Sequence, residues 1–129
     1  MMARIRAKDT RPELMVRRYL FHRGFRFRIH DNRLPGSPDI VLPRYRTVIF
    51  VHGCFWHGHE GCAAFRLPKT HVEFWEDKIK RNRIRDAAHA ERLGVLSWRV
   101  ITVWECELRT KRLAEATLGG LVNEILDAP

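Results

Sequence analysis

A chain that alternates helix, strands, helix, strand and helix is predicted to fold as a layered α/β structure, with helices covering a sheet. Three observations carry that prediction. Helix-start signals open long stretches at Thr10 and Thr70, and residues 39–42, 47–52 and 95–104 read as strands. No internal repeat, low-complexity tract or linker divides the sequence, so residues 1–129 are expected to form one domain. With 45% of its 129 residues hydrophobic and 30% charged, the chain can bury a real core and does not belong to the disordered class.

Each element follows from local chemistry. Thr10 can cap a helix, Pro12 is tolerated in its first turn, and Glu13 stands where a capping box places an acid. That helix should run to about Arg23 and stop at Gly24. Glu13, Val16 and Leu20 share one side, so a carboxylate begins a core-facing line. Residues 25–29 alternate apolar and basic, the pattern of a half-buried strand, and 31–38 are loop by composition. A hairpin turning on Arg44 and Tyr45 would pair Leu42 with Thr47 and Asp39 with Phe50. Asp39 would then stand beside Val51 and His52.

Residues 53–69 form an unusually long loop. Thr70 and Glu73 repeat the capping-box pattern, opening a helix to about Leu93 that Gly94 closes. Its apolar face takes in Val72, Trp75, Ile79, Ala90 and Leu93. Asp86 falls on the same line, where a carboxylate needs a partner, a metal or water. The strand at 95–104 sets Trp98, Val100, Thr102 and Trp104 on one side and Arg99, Ile101 and Val103 on the other. A last helix spans 111–126, weakened by Gly119 and Gly120.

The net charge is +9, and residues 1–33 hold ten Lys or Arg against Asp9, Glu13 and Asp31. Such a face can be merely solvated. Arginine dominance favours a phosphate-binding surface, because the guanidinium fork matches phosphate oxygens. No apolar run approaches the roughly 20 residues of a membrane span, and no signal-peptide h-region opens the sequence. A cytoplasmic location is therefore expected, nucleoid-associated when the protein acts. Three cysteines cannot all pair, which leaves metal ligation or simple burial.

Chemistry concentrates in residues 50–62, which hold three of the seven histidines and two of the three cysteines. Cys54, His59, Cys62 and Cys106 can complete a tetrahedral structural zinc site, pinning the long loop to the end of the 95–104 strand. His57 could stand in for His59, although alternate residues point in different directions. A closed site of this kind leaves no open position for catalysis. Asp39, beside His52 and His57, reads as an oxygen ligand for Mg²⁺. Phosphodiester hydrolysis needs a metal, a base for water and a proton source, and Asp39, His57 and His52 can fill those parts. Taken alone, His52 could equally be a satisfied strand-end histidine. Phe55 and Trp56, in a glycine-flanked loop beside a cationic surface, suit stacking on bases or wedging between base steps. Trp75 at helical spacing reads by itself as core.

Four motifs then carry a family resemblance: Leu-Pro-Gly-Ser-Pro-Asp (34–39), Phe-Val-His-Gly-Cys-Phe-Trp-His (50–57), Phe-Trp-Glu-Asp-Lys-Ile (74–79) with Asn82, and Val-Trp-Glu-Cys (103–106). The chain resembles the very short patch repair (Vsr-type) DNA mismatch endonucleases over roughly residues 2–109. The resemblance implies a restriction-endonuclease-like core, a central mixed sheet flanked by helices. It implies that Asp39 is the metal-bridging acid and that Val51, where threonine is common, offers its backbone carbonyl to Mg²⁺. His57 would activate water, and His52 would contact the scissile phosphate or assist transfer. Glu13 and Asp86 match outer positions that organise metal-bound water or the histidine, and Cys54, His59, Cys62 and Cys106 match the zinc ligands. Phe55, Trp56 and Trp75 match an aromatic wedge entering DNA beside a T:G mismatch, with Met2 at the position of an inserted methionine. The implied reaction is a nick 5′ of the mismatched thymine by a Mg²⁺-dependent monomer, with mismatch-repair proteins as partners. Two rivals stand beside it: a nuclease of relaxed or different specificity, and a non-catalytic, zinc-stabilised DNA-binding module.

Overall fold

The computed structural model describes residues 9–63 and 65–127. Helix α1 (Arg11–His22) begins where Thr10 accepts the Glu13 N–H, as its sequence dictates. It ends with Gly24 in the left-handed region and the Phe25 N–H returning to the Leu20 carbonyl. That wrap changes the fate of the next segment. Phe25 is drawn into the core against Tyr45 instead of opening a strand, so strand β1 is only Arg28–Ile29, and both residues are exposed.

Strands β2 (Ile40–Leu42) and β3 (Thr47–His52) form the expected hairpin. Leu42 pairs with Thr47 and Ile40 with Ile49, around a 3₁₀ turn at Pro43–Tyr45. Helix α2 (Val72–Val95) then returns the chain to strand β4 (Arg99–Trp104), which lies parallel to β3 with His52 opposite Trp104. A short 3₁₀ turn at Glu105–Leu108 leads to helix α3 (Lys111–Leu126), capped by Thr110. The sheet order is β1-β2-β3-β4, antiparallel at its first two pairings and parallel at the last.

Alternation along the strands builds two cores. Ile40, Leu42, Ile49, Val51, Ile101 and Val103 face α1 and α3, meeting Val16, Leu20, Leu118 and Leu121. Val41, Val48 and Trp98 face the other way, against Leu93 near the end of α2. The Gly119–Gly120 pair does not interrupt α3, and Gly119 lies against Tyr19 of α1.

Helix α2 departs from expectation at both ends. No capping box forms at its start: His71, in the left-handed region, is the first flanking residue and makes no side-chain cap. The helix also runs through Gly94, and the left-handed position falls on Ser97. Of its expected apolar face, only Ile79 and Leu93 are buried, while Val72 is exposed. The reason is that α2 covers the second face of the sheet only in part. The rest of that face opens onto solvent, and the open part holds the chemistry.

Candidate functional site

An open cleft of about 1500 Å³ runs between the start of α1, the loop before β2, the β3 and β4 ends, and α2. Both parallel strands aim their carboxyl ends at it, the end of an α/β sheet where ligands commonly bind. Glu13, Asp39, Val51, His52, Phe55, Trp56, His57, His59 and Asp86 all line it.

Asp39 sits at the hairpin mouth and accepts the Val51 N–H on Oδ2 at 2.6 Å. Burial pushes its carboxyl up to about 6, against the pull of that N–H, and the Glu13 charge adds to the rise. This inward carboxylate offers oxygen donors of the kind that a hard divalent ion prefers. In an extended strand the N–H and C=O of one residue leave by the same edge, so the Val51 carbonyl faces the Asp39 side. Two more steps of the β2–β3 register put Pro38 opposite Val51, and proline has no N–H to give that carbonyl.

His52 and His57 stack face to face, with centroids 3.7 Å apart and planes 3° from parallel. His57 Nδ1 lies 2.6 Å from an Asp86 carboxylate oxygen. Burial alone would raise Asp86, but the hydrogen bond from His57 and the His57 charge hold it below the usual carboxylate range. Burial, then His57, push His52 down to about 4, so its ring is neutral at physiological pH.

Cys54, His59, Cys62 and Cys106 converge so that one ligand atom from each lies within 4.8 Å of the others. Three thiols and an imidazole at that spacing fit a tetrahedral soft-metal site. Burial pushes the Cys54 thiol up to about 12, and a cation among the sulfurs would reverse that shift. His59, not His57, joins the thiols: its Nδ1 is 3.5 Å from Cys106 Sγ, while His57 turns to Asp86. The loop is tied down elsewhere as well. Asn82 donates to the Trp56 carbonyl, Arg83 to the Gly58 carbonyl, and Glu105 accepts the Cys54 N–H. Gly58 has φ +60, and a Cβ there would meet Ile79 Cγ2 and Arg83 Nε at 2.5 Å.

Phe55, Trp56 and Trp75 touch one another in a triangle with centroids 5.1 to 5.7 Å apart, so Trp75 leaves the core and joins the loop aromatics. Met2 lies outside the described residues.

Several residues here escaped the sequence reading. His30 follows β1, its N–H on the Asp39 carbonyl, with Nδ1 3.9 Å from Asp39 Oδ1 and Nε2 3.4 Å from Glu13 Oε2. Continuing the β1–β2 pairing by one residue would have revealed it opposite Asp39. Arg17, counted above with the phosphate-binding arginines, is instead turned inward. Its Nη2 lies 2.8 Å from Asp9, 3.1 Å from Glu13 and 3.0 Å from His30, while its Nε is buried without a partner. Arg33 is likewise paired with Asp31, so the basic arm is partly spent within the fold.

A family model described as DNA mismatch endonuclease Vsr matches residues 1–64. The type II nicking enzyme V.NmeAIP of Neisseria meningitidis is 47% identical over 98% of this chain and 90% of its own length. V.XorIIP, a type II nicking enzyme of Xanthomonas oryzae, is 48% identical over 95% of this chain and 90% of its own. The DNA mismatch endonuclease Vsr of Escherichia coli is 48% identical over 84% of this chain and 69% of its own. By class, then, this α/β chain with its metal-competent cleft is a DNA endonuclease. It belongs to the Vsr family of DNA mismatch endonucleases.

Proposed function

We propose that the chain nicks one strand of duplex DNA 5′ of the thymine in a T:G mismatch, using Mg²⁺ at Asp39 and a structural zinc at Cys54, His59, Cys62 and Cys106. The observation that carries this reading is that the Asp39 carboxylate and the His57–Asp86 pair open onto one cleft. Relatives named as a mismatch endonuclease and as nicking enzymes support it. So does a restriction-endonuclease-like reading of the mixed sheet, with its acid at the hairpin mouth.

Asp39 and the Val51 carbonyl would hold Mg²⁺, which when bound supplies positive charge to the phosphoryl oxygens. Asp86 fixes the His57 ring through Nδ1–H and leaves Nε2 free to take a proton from the attacking water. His52, neutral and stacked on His57, offers an N–H donor to the scissile phosphate in place of an acidic proton. Glu13, buried beside Asp39, orients water next to the acid. Phe55, Trp56 and Trp75 present apolar edges beside the cleft, suited to parting a weakly stacked base step.

The decisive assay is nicking of a T:G duplex and of its fully paired counterpart in Mg²⁺, with Asp39→Ala alongside. Nicking confined to T:G and lost in the variant is the expected result. Equal cutting of both duplexes would replace mismatch specificity with a relaxed nuclease. DNA binding with no scission under any divalent metal would leave only a binding module.

A further inference from the structure

We infer that Trp104 is a positioning residue that couples the thiol-imidazole centre to the catalytic histidines, an inference that rests on the site reading above. Trp104 ends β4 directly opposite His52, which ends β3. Neighbouring parallel strands place such side chains side by side on the same face. Here the His52 ring meets the indole edge-on at 5.2 Å. On the indole face lies His59, centroids 4.0 Å apart and planes within 4° of parallel.

The result is a two-by-two array. His57 lies flat on His52 and His59 lies flat on Trp104, with matching interplanar angles of 3° and 4°. One residue, Gly58, separates the two stacked loop histidines, while the sheet joins the rings beneath them. His59 Nδ1 also lies 3.5 Å from the Sγ of Cys106, two residues beyond Trp104. A metal held by Cys106 and His59 would fix that imidazole where it already lies, flat on the indole. The same loop segment then lays His57 on His52. Trp104 is the platform that keeps both pairs in register, and it touches a metal ligand and a catalytic ring at once.

The test uses the metal-loaded protein, with Trp104→Phe and Trp104→Leu beside the parent. Trp104→Leu should lower kcat for nicking about 10- to 100-fold, the scale of a misplaced catalytic group, with KM for the duplex within about twofold. Trp104→Phe, which keeps a flat ring, should recover most of that loss. In NMR spectra, the His52, His57 and His59 ring protons should all shift in Trp104→Leu, and removal of the metal from the parent should move the same three sets. A Trp104→Leu protein that keeps its metal, its kcat and its His52 and His57 resonances would overturn the inference. So would a fully folded Trp104→Phe protein with kcat as low as the leucine variant. If the parent itself fails to nick, the functional reading falls, and the ring resonances alone decide whether the array transmits metal binding.

Discussion

Replacing Asp39 with Asn should make the protein more stable while abolishing its activity. The carboxyl titrates at about 6 in the fold, against 3.8 in an unperturbed chain, and the acid is largely buried. A raised carboxyl is a cost to folding once it is ionised. The penalty is complete above pH 6, shrinks as pH falls, and is gone below about 4, where folded and unfolded chains are both protonated. A shift of about two units corresponds to about 3 kcal/mol at pH 8 and about half that at pH 5. Asn carries no charge, and its amide oxygen can still accept the Val51 N–H. The variant should therefore gain about 3 kcal/mol at pH 8, or about 10 °C in Tm for a chain of this size. The assay is urea unfolding of both proteins at pH 8 and pH 5, without Mg²⁺ and without a chelator that would strip the thiol site. Adding Mg²⁺ should then stabilise only the parent and narrow the gap. An Asn variant no more stable than the parent at pH 8, or a gain unchanged at pH 5, would refute the reasoning.

Other perturbations separate the remaining parts. Asp86→Asn should cut kcat for nicking about 100-fold with KM little changed, since it disturbs the His57 tautomer and not DNA contact; a loss under twofold would remove Asp86 from the mechanism. Cys62→Ser or Cys106→Ser should abolish one equivalent of bound zinc, measured by atomic absorption, and should lower Tm; a parent purified without metal, and unable to take up zinc, would contradict the site. Gly58→Ala should cost about 2 kcal/mol, because it adds a clash and a strained φ at once, and a thermal melt reads it directly. Trp56→Ala should retain nicking but lose preference for T:G over paired duplex, and an unchanged ratio would exclude the wedge.

Local periodicity made the hairpin legible. Two short apolar runs joined by the Pro-Arg-Tyr-Arg turn fixed Leu42 against Thr47, which was enough to seat Asp39 beside Val51. The four metal-competent residues were legible by type and by rarity, since every cysteine is used. What escaped was non-local or conformational. Parallel pairing of β3 with β4 decides that Trp104 lies beside His52, and no local pattern encodes a pairing across an intervening helix. Phe25 read as strand because it alternates with arginines, yet the helix-end wrap claimed it first. Arg17 looked like one more surface cation among ten, because nothing in its spacing discloses three partners converging on one nitrogen. Thr70 and Glu73 matched a capping box, but the backbone at His71 turned left-handed and left the motif unused.

The guanidinium lodged among Asp9, Glu13 and His30 has a consequence for how the enzyme meets its surroundings. It is a counter-ion tethered to the polypeptide, so dialysis cannot remove it and neither chelators nor competing salts can exchange it. Were a divalent ion to bind at Asp39, its withdrawal would therefore leave this guanidinium in place beside the Asp9 and Glu13 carboxylates. The apoenzyme would thus keep half of its acidic apparatus assembled, ready for the ion to return.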